Sequence, residues 1–294
     1  MNKRNRTSFF KRLHLTNYKL FVARQIYRLI RIFLHKKKYN IRRSKINYEI
    51  DISEGIDLSI FLFGCFQKHV INNKYIPIPE DAVIFDIGAN IGAMTLKFAQ
   101  KAPNGRVYAF EPTDYAYKKL IKNISLNPGL KERITPVQKF FGKKTTTVHG
   151  MKAYSSWKIN KKVNQAHPFH GGSIQSAVNI SAISIDDFCR ENDIKRLNLI
   201  KIDTDGYEYQ ILQGAQKTLL KLSPTIIFEI GLSQFNEYNV KVKFEQFLDF
   251  FLSKGYRLIN SKNGNVITKN NYLRHIPLNS TVDVIALRSL RINT

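Results

Sequence analysis

The sequence predicts an α/β fold built on a doubly wound, mostly parallel sheet. Strand and helix patterns alternate along the chain from Asp81 onward, which favours crossover connections between parallel strands. Several of the strands are short apolar runs, as expected for parallel strands that are covered on both faces. Acidic residues stand at the ends of several of these runs. Because open α/β sheets bind ligands at the carboxyl ends of their strands, we expect a ligand site there.

The first informative stretch is a strand, a glycine-containing turn and a helix. The apolar run Ala82–Phe85 is followed by Asp86 and by a turn that contains Gly88, Asn90 and Gly92. Glycine adopts positive φ at little cost, and asparagine is among the few other residues that tolerate it. The spacing fits neither a phosphate-binding P-loop nor the dinucleotide fingerprint. From this turn alone, a nucleotide site and a tight structural connection both remain open.

A second acid follows at the end of the next predicted strand. Glu111 lies 25 positions after Asp86 and directly before Pro112, which ends the strand. A carboxylate at this place can accept hydrogen bonds from both hydroxyls of a ribose. The alternative is that Glu111 only caps the predicted helix Tyr115–Asn127. Together with Asp86 and Gly88, however, its position favours the ribose role.

The second informative stretch is again a strand, a turn and a helix. The predicted strand Leu197–Asp203 ends in an acid, and Thr204–Gly206 form the turn. Asp203 is therefore expected at the ligand-binding edge of the sheet. Lys201 lies in the middle of an otherwise apolar strand. A buried lysine needs a partner or loses its charge, so the sequence predicts an acid beside it.

Between these two blocks the pattern becomes irregular. The segment from Lys139 to Asn179 is rich in aromatic residues and histidines, His170 among them. Long irregular segments inside compact domains are usually functional or disordered. We expect this segment to bind the acceptor, with a solvated loop as the alternative.

The basic character of the chain is concentrated at its N-terminus. Of the formal net charge of +25, fifteen lysines and arginines and no acids fall within residues 1–48. We divide the chain into a basic amphipathic extension (1–48), a helical lead-in (49–80) and a catalytic domain (81–294). In the extension, Arg24, Arg28 and Arg31 fall on one helical stripe. This pattern is typical of an element that binds an anionic membrane surface or a partner, of a covering helix with a solvated face, or of an organellar transit peptide.

The two cysteines indicate a reducing compartment. Cys65 and Cys189 have no paired metal-ligand spacing and are most simply reduced core residues. We expect a cytoplasmic protein, with a location at the periphery of the membrane as the alternative.

Taken together, the motifs resemble a known family. FDIGANIG, AFEP, ISIDDF, KIDTDGYEYQILQGA and PTIIFEI occur in the order and spacing of the FkbM family of methyltransferases, over roughly Asp81 to Ile259. The resemblance implies a class I, Rossmann-like fold with a seven-stranded sheet, S-adenosyl-L-methionine (SAM) as the methyl donor, and a hydroxyl of a sugar or another small molecule as the acceptor. It also implies a set of cofactor-binding residues, namely Asp86, Gly88, Asn90, Gly92 and Glu111.

One motif departs from the family pattern. Where members often carry Asp-x-Glu-Gly-x-Glu, this chain has Asp203, Asp205, Gly206 and Glu208, so one acid is shorter by a methylene. Methyl transfer to a hydroxyl requires positioning and removal of a proton. We name Asp203, Glu208 and His170 as candidate catalytic residues.

The sequence leaves two further questions open. Asp203, Asp205 and Glu229 could hold a divalent cation, or they could pair with Lys201, so we assign no metal ligands. A nucleic-acid methyltransferase would explain the charge, but the turn after Asp203 lacks the motif that usually accompanies methylation of base amines. A non-catalytic protein bound at a membrane surface is the remaining alternative.

Overall fold

The computed structural model describes residues 24–148, 151–155, 159, 173–177, 180–204, 206–231, 237–276 and 281–288. The chain divides into two compact units. The first comprises Met1–Phe66 and Tyr154–Ile174, and the second comprises Gln67–Ala153 and Gln175–Thr294. No helix within the described residues is both long enough and apolar enough to cross a bilayer.

The first unit begins with helices and a hairpin. Helix α1 occupies residues 24–33 of the described chain. Strands β1 (Lys38–Arg43) and β2 (Ile46–Asp51) form an antiparallel pair, and α2 (Gly55–Phe63) follows. Residue 48 therefore lies inside β2, and the predicted division of the chain at that position cuts a hairpin. Residues 49–80 include α2 and, in the second unit, α3 (Lys68–Ile71).

The hairpin forms because its second strand has one apolar face. Ile46, Tyr48 and Ile50 are buried while the residues between them are less so, which is the period of two expected of a strand. The turn residues Ser44 and Lys45 both have positive φ, 49° and 67°, as in the tight turns that suit the twist of hairpin strands.

The second unit is built on one eight-stranded sheet, in the order β14-β13-β15-β12-β11-β3-β4-β5. Its strands are β3 (Val83–Ile87), β4 (Arg106–Phe110), β5 (Ile134–Val137), β11 (Leu199–Ile202), β12 (Thr225–Gly231), β13 (Tyr256–Asn260), β14 (Val266–Ile267) and β15 (Thr281–Arg288). The five strands from β12 to β5 are parallel, and β15 runs antiparallel to β12 and β13. The expected doubly wound, mostly parallel sheet is confirmed. The expected seven strands become eight because the two-residue strand β14 pairs with β13 at the edge.

Helices flank the sheet and alternate with its strands. They are α3 (Lys68–Ile71), α4 (Ala93–Lys101), α5 (Asp114–Ser125), α6 (Pro128–Lys131), α7 (Ile185–Glu191), α8 (Glu208–Gln213), α9 (Gln216–Leu222), α10 (Glu237–Leu252) and α11 (Tyr272–His275). The chain adds β4 and β5 on one side of β3 and then returns to add β11 and β12 on the other. The strand order thus reverses at β3, and open α/β sheets bind their ligands at such a reversal.

Two small sheets complete the described elements. One has the order β6-β10-β7, and the other pairs β8 with β9. These strands are β6 (Phe140–Phe141), β7 (Thr146–Val148), β8 (Met151–Ser155), β9 (Ser173–Ala177) and β10 (Ile180–Ile183).

The core of the second unit contains a cluster of aromatic side chains beside β3 and β4. The ring of Phe110 packs edge-to-face against Phe85, Phe141 and Phe188, with centroid distances of 5.3, 4.5 and 4.9 Å. All four residues of β11 are buried, as is every residue of β3 after Val83. Parallel strands covered on both faces are therefore apolar throughout, apart from the few charged residues of the candidate site.

Both cysteines are free thiols. Cys189 is buried in the core as expected, but Cys65 is only partly buried.

Candidate active site

The glycine loop between β3 and α4 has the backbone that the sequence predicted. Gly88, Asn90 and Gly92 all have positive φ, at 79°, 50° and 85°. At Gly88 a side chain is excluded on a second ground as well, because a Cβ there would lie 1.9 Å from the backbone oxygen of Asp203. The loop therefore touches the end of β11 directly, and only glycine permits that approach.

Backbone N–H groups of the loop donate hydrogen bonds to the end of β4. The backbone N–H groups of Gly88 and Ala89 both donate to the carbonyl oxygen of Phe110, each across 3.0 Å. The N–H of Asn90 donates to Oε2 of Glu111, also across 3.0 Å. These amides are thus already bonded, and the loop is held against the neighbouring strand.

Glu111 is the second fastening point. Its Oε1 accepts hydrogen bonds from the N–H of Thr113 at 3.0 Å and from the hydroxyl of Thr113 at 2.6 Å. Burial raises the pKa of the Glu111 carboxyl, and the bonds from Thr113 and Asn90 partly oppose this shift. A carboxylate oxygen has two lone pairs, so Oε2, which accepts a hydrogen bond from Asn90, can accept another. Glu111 therefore supports the loop, and its predicted contact with a ribose stays a prediction.

Lys201 has the acidic partners that the sequence predicted. Its Nζ lies 3.4 Å from Oδ1 of Asp86 and 3.4 Å from Oδ2 of Asp203, and it donates to the carbonyl oxygen of Gly88 at 3.2 Å. Asp86 is fully buried and accepts a 2.6 Å bond from the hydroxyl of Thr95. Burial lowers the pKa of Lys201, but Asp203 and Asp86 outweigh it and raise that pKa above its ordinary value. Lys201 therefore stays charged and joins the ends of β3 and β11.

Asp203 has a further partner that the sequence did not indicate. The side-chain Nε2 of Gln67 donates to Oδ2 of Asp203 at 3.1 Å. Gln67 has φ 46° and ψ 46°, in the left-handed region that non-glycine residues seldom adopt. Asp203 remains 24% exposed at its side chain, so a bound molecule can reach it. No motif surrounds Gln67 in the sequence, and only its backbone conformation and its contact identify it.

The orientation of the Gln67 amide follows from its contact with Asp203. A carboxylate only accepts hydrogen bonds, so the amide nitrogen must face Asp203. The opposite end, Oε1, is buried and has no hydrogen-bond partner among the described residues. A buried acceptor of this kind is rare in proteins and requires an explanation.

Glu208 supports the turn that follows β11. Its Oε1 accepts hydrogen bonds from the N–H and the hydroxyl of Thr204, both at 3.0 Å, and from the N–H of Gly206 at 3.2 Å. Burial raises the pKa of Glu208, partly opposed by these bonds. The Glu208 carboxylate therefore orders the turn beside Asp203.

The structure does not describe two of the residues named from the sequence. His170 and Asp205 lie outside the described residues. Across the described residues, no three acidic, histidine or cysteine side chains are grouped so that they could hold a metal ion.

A cavity of about 160 Å³ opens beside this turn. It lies between the start of α8, the end of β12 and α10, next to Glu208. Its lining combines two aromatic rings with amide and charged groups, namely Gly206, Glu208, Tyr209, Gln210, Glu229, Ile230, Gly231, Lys243, Gln246 and Phe247. Glu229, which lies in β12, forms part of this wall.

The fold and the site together define a class of protein. A mostly parallel sheet, a glycine loop at the reversal of strand order and a carboxylate after the next strand are the features of a Rossmann-like class I methyltransferase. The family model described as the methyltransferase FkbM domain matches residues 86–258, which is more than half of the chain. The chain belongs to this family, as its motifs predicted, and it is a methyltransferase.

Several curated relatives are similar to this chain over part of its sequence. Methyltransferase 1 of Beauveria bassiana is 27% identical over 188 residues, covering 60% of this chain and 73% of the relative. Hexuronic acid methyltransferase AglP of Haloferax volcanii is 27% identical over 150 residues, covering 50% of this chain and 56% of the relative. The chain thus spans little more than half the length of AglP. Among solved structures, a methyltransferase FkbM from Methylobacillus flagellatus is 18% identical, with a TM-score of 0.44 over 70% of this chain and 44% of that chain.

Proposed function

We propose that this protein transfers the methyl group of SAM to a hydroxyl group of a sugar or a similar small-molecule acceptor. The observation that carries the proposal is the junction of β3 and β11, where Lys201 joins Asp86, Asp203 and the carbonyl of Gly88 at the ligand-binding edge of the sheet.

The residues at this junction fit SAM, the methyl donor. SAM carries an α-ammonium group and a sulfonium, and cations are stabilised by carboxylates and by carbonyl oxygens. Asp203 is a partly exposed carboxylate, and Oε1 of Gln67 is a buried acceptor that needs a donor. The loop residues Gly88, Asn90 and Gly92, together with Glu111, would hold the remainder of the cofactor. When bound, SAM supplies the electrophilic methyl group.

The cavity beside α8 supports a hydroxyl-bearing acceptor. Tyr209 and Phe247 offer apolar faces, and their ring centroids lie 4.8 Å apart. Gln210, Gln246 and Glu229 offer amide and carboxylate groups around them. Sugars present both an apolar C–H face and many hydroxyls, so a wall of mixed character suits them.

Two relatives point in the same direction. One is named for methylation of a hexuronic acid, and another, from Sinorhizobium fredii, is named 2-O-methyltransferase NoeI and is 23% identical over 150 residues. The alignment covers 48% of this chain and 60% of NoeI. Their names describe those proteins and support an oxygen acceptor here only by similarity.

Among the described residues, Asp203 is our candidate for the group that receives the proton of the acceptor hydroxyl. It is the partly exposed carboxylate of the junction, whereas Oε1 of Glu208 is engaged by the turn. Lys201 and Gln67 hold Asp203 in a fixed orientation, which is what in-line attack on a methyl group requires.

The first experiment is calorimetric titration of SAM into the wild-type protein and into Glu111→Ala. Hydrogen bonds to a charged group contribute roughly 1.5–3 kcal/mol, so we expect this variant to bind SAM at least about tenfold more weakly. Glu132→Ala, which removes an exposed carboxylate on the surface, is the control and should bind like the wild type.

Turnover is then measured with labelled SAM and a panel of monosaccharides, uronic acids and RNA. Methylated sugar with an unmodified RNA fraction supports the proposed acceptor class. Methylated RNA would contradict the proposed acceptor class and support the nucleic-acid alternative. A folded wild-type protein that does not bind SAM would overturn the assignment of SAM as the methyl donor as well.

A further inference from the structure

Helix α1 in the first unit exposes its apolar side chains. Leu29, Ile32 and Phe33 are 59%, 65% and 79% exposed, whereas Tyr27 is buried. The three exposed residues are spaced i, i+3 and i+4, so they share one face of the helix. Large apolar residues that are grouped on one exposed face of a helix often mark an interaction surface.

Two of the basic residues of α1 bind the protein itself. Nη1 of Arg31 donates to the carbonyl oxygens of Leu34, His35 and Lys36 at 2.9, 2.7 and 2.8 Å, where the helix ends. Nε of Arg24 donates to the carbonyl oxygen of residue 159 at 3.1 Å. These arginines and the buried Tyr27 thus fix the helix, whereas Leu29, Ile32 and Phe33 face outward. A helix that merely covered the domain would bury these three side chains as well.

Exposed cations occur in α1 and in the residues that follow it. The chain carries no acid before Glu49, so no negative side chain of the segment offsets them. Within the described residues, the exposed basic residues of this segment are Arg24, Arg28, Lys36, Lys37, Lys38, Arg42 and Lys45. The local field is therefore strongly positive, and an anionic partner is favoured.

We infer that α1 and the basic segment after it dock the protein on an anionic lipid surface. Such a surface attracts clustered lysines and arginines and accepts inserted apolar side chains, so it matches both parts of the segment. A nucleic acid also matches the charge, but it is bound through phosphates and by stacking on aromatic rings. Leu29 and Ile32 can do neither. This inference goes beyond the proposed methyl transfer and does not depend on it.

The test uses the full chain and sedimentation with two kinds of vesicle. One kind consists of phosphatidylcholine, and the other is a mixture of phosphatidylcholine and phosphatidylglycerol. We expect binding to the mixed vesicles only, and weaker binding as salt is raised. The variant Leu29→Ser, Ile32→Ser, Phe33→Ser should bind the mixed vesicles at least about tenfold more weakly, because three apolar side chains no longer insert.

A control variant replaces three other exposed leucines. Leu220, Leu252 and Leu273 are 50%, 51% and 55% exposed and lie in the second unit. Their combined change to serine should leave vesicle binding unchanged. Melting curves by circular dichroism verify that both triple variants fold. The inference is overturned if the wild type does not bind the anionic vesicles, whether or not it binds duplex DNA, or if the α1 variant binds the vesicles like the wild type.

Discussion

The side-chain amide of Gln67 donates to Asp203 across 3.1 Å, while the carbonyl end of the same amide is buried without a hydrogen-bond partner among the described residues. Gln67 holds this position with a left-handed backbone, which costs on the order of 1 kcal/mol for a residue with a side chain. Strain of this kind persists where the surrounding structure imposes it, and it concentrates at ligand sites. We therefore expect a donor of the bound cofactor to complete the hydrogen bonding of Gln67.

The variant Gln67→Met keeps the length of the side chain and removes both polar ends. We expect its affinity for SAM, measured by calorimetry, to fall about tenfold or more, since a hydrogen bond from a charged donor contributes roughly 1.5–3 kcal/mol. Gln138→Met is the matched control. Nε2 of Gln138 also donates to an aspartate, Asp114, but at an exposed site. If wild type and Gln67→Met bound SAM with equal affinity, Gln67 would not be part of the SAM-binding site.

Lys201 should be far more important for folding than an ordinary surface lysine. In Lys201→Met, Asp86 and Asp203 lose their shared cation, and loss of one partner of a buried ion pair costs roughly 3–5 kcal/mol. Chemical denaturation measures this loss. Lys195→Met is the control, because Lys195 pairs with Asp193 at a site where both side chains are about 80% exposed, and exposed pairs contribute at most about 1 kcal/mol.

A second substitution shows whether the effect comes from uncompensated charge. Asp86→Asn removes one of the two carboxylates that Lys201 neutralises. In the Lys201→Met background it should therefore restore part of the lost unfolding free energy, although the same change destabilises the wild type. Additive losses in the double variant would contradict the ion-pair explanation.

The site was predictable from the sequence wherever backbone conformation or charge imposes a constraint. Alternating Gly88, Asn90 and Gly92 indicated positive φ, and all three adopt it. A lysine in an apolar strand indicated an acid beside it, and Lys201 has two, the buried Asp86 and the partly exposed Asp203. Both inferences rest on large free-energy costs that arise locally, namely positive φ for a residue with a side chain and burial of an unpaired charge. The rest of the fold cannot remove these costs.

Features that depend on distant contacts were missed. Gln67 precedes Asp203 by 136 positions, and nothing in its own neighbourhood distinguishes it from a surface glutamine. The hairpin β1–β2 was also missed, although Ile46, Tyr48 and Ile50 alternate as a strand should. In this segment the many basic residues mask the period of two.

Glu208 should make the stability of the protein depend on pH in a specific direction. Burial raises its pKa in the folded state, so the folded protein holds this proton to higher pH than the unfolded chain does. The resulting stabilisation is complete below the ordinary pKa of 4.5 and is lost as pH rises through the folded value. Glu208→Gln stays neutral throughout, and its amide oxygen can still accept from Thr204 and Gly206.

The unfolding free energies of wild type and Glu208→Gln are compared from pH 4 to pH 8 by urea denaturation. We expect the difference to shift in favour of the variant as pH rises, since only the wild type must bury a charge. Glu191→Gln changes a carboxylate that is 47% exposed and should show no such trend. A difference that is constant, or that shifts toward the wild type, would mean that the hydrogen bonds at Oε1 outweigh burial.

Three glycine-to-alanine changes separate backbone strain from close contact at the loop. Gly129 has ordinary φ and open space around it, Gly255 has φ 74° and open space, and Gly88 has φ 79° with the oxygen of Asp203 in the way. Alanine at 129 should be neutral or stabilising by up to about 1 kcal/mol, since Gly129 lies in helix α6. Alanine at 255 should cost about 1–2 kcal/mol, because only the left-handed conformation is penalised.

Alanine at 88 adds a steric clash to the same strain. The backbone of β11 would have to move away from the loop, which also separates Asp203 from Lys201 and Gln67. We therefore expect a loss of more than about 4 kcal/mol in thermal or chemical unfolding, together with loss of SAM binding. If Gly88→Ala and Gly255→Ala were destabilised equally, φ alone would explain the requirement for glycine. The contact between the loop and the end of β11 would then have no energetic role in assembling the site.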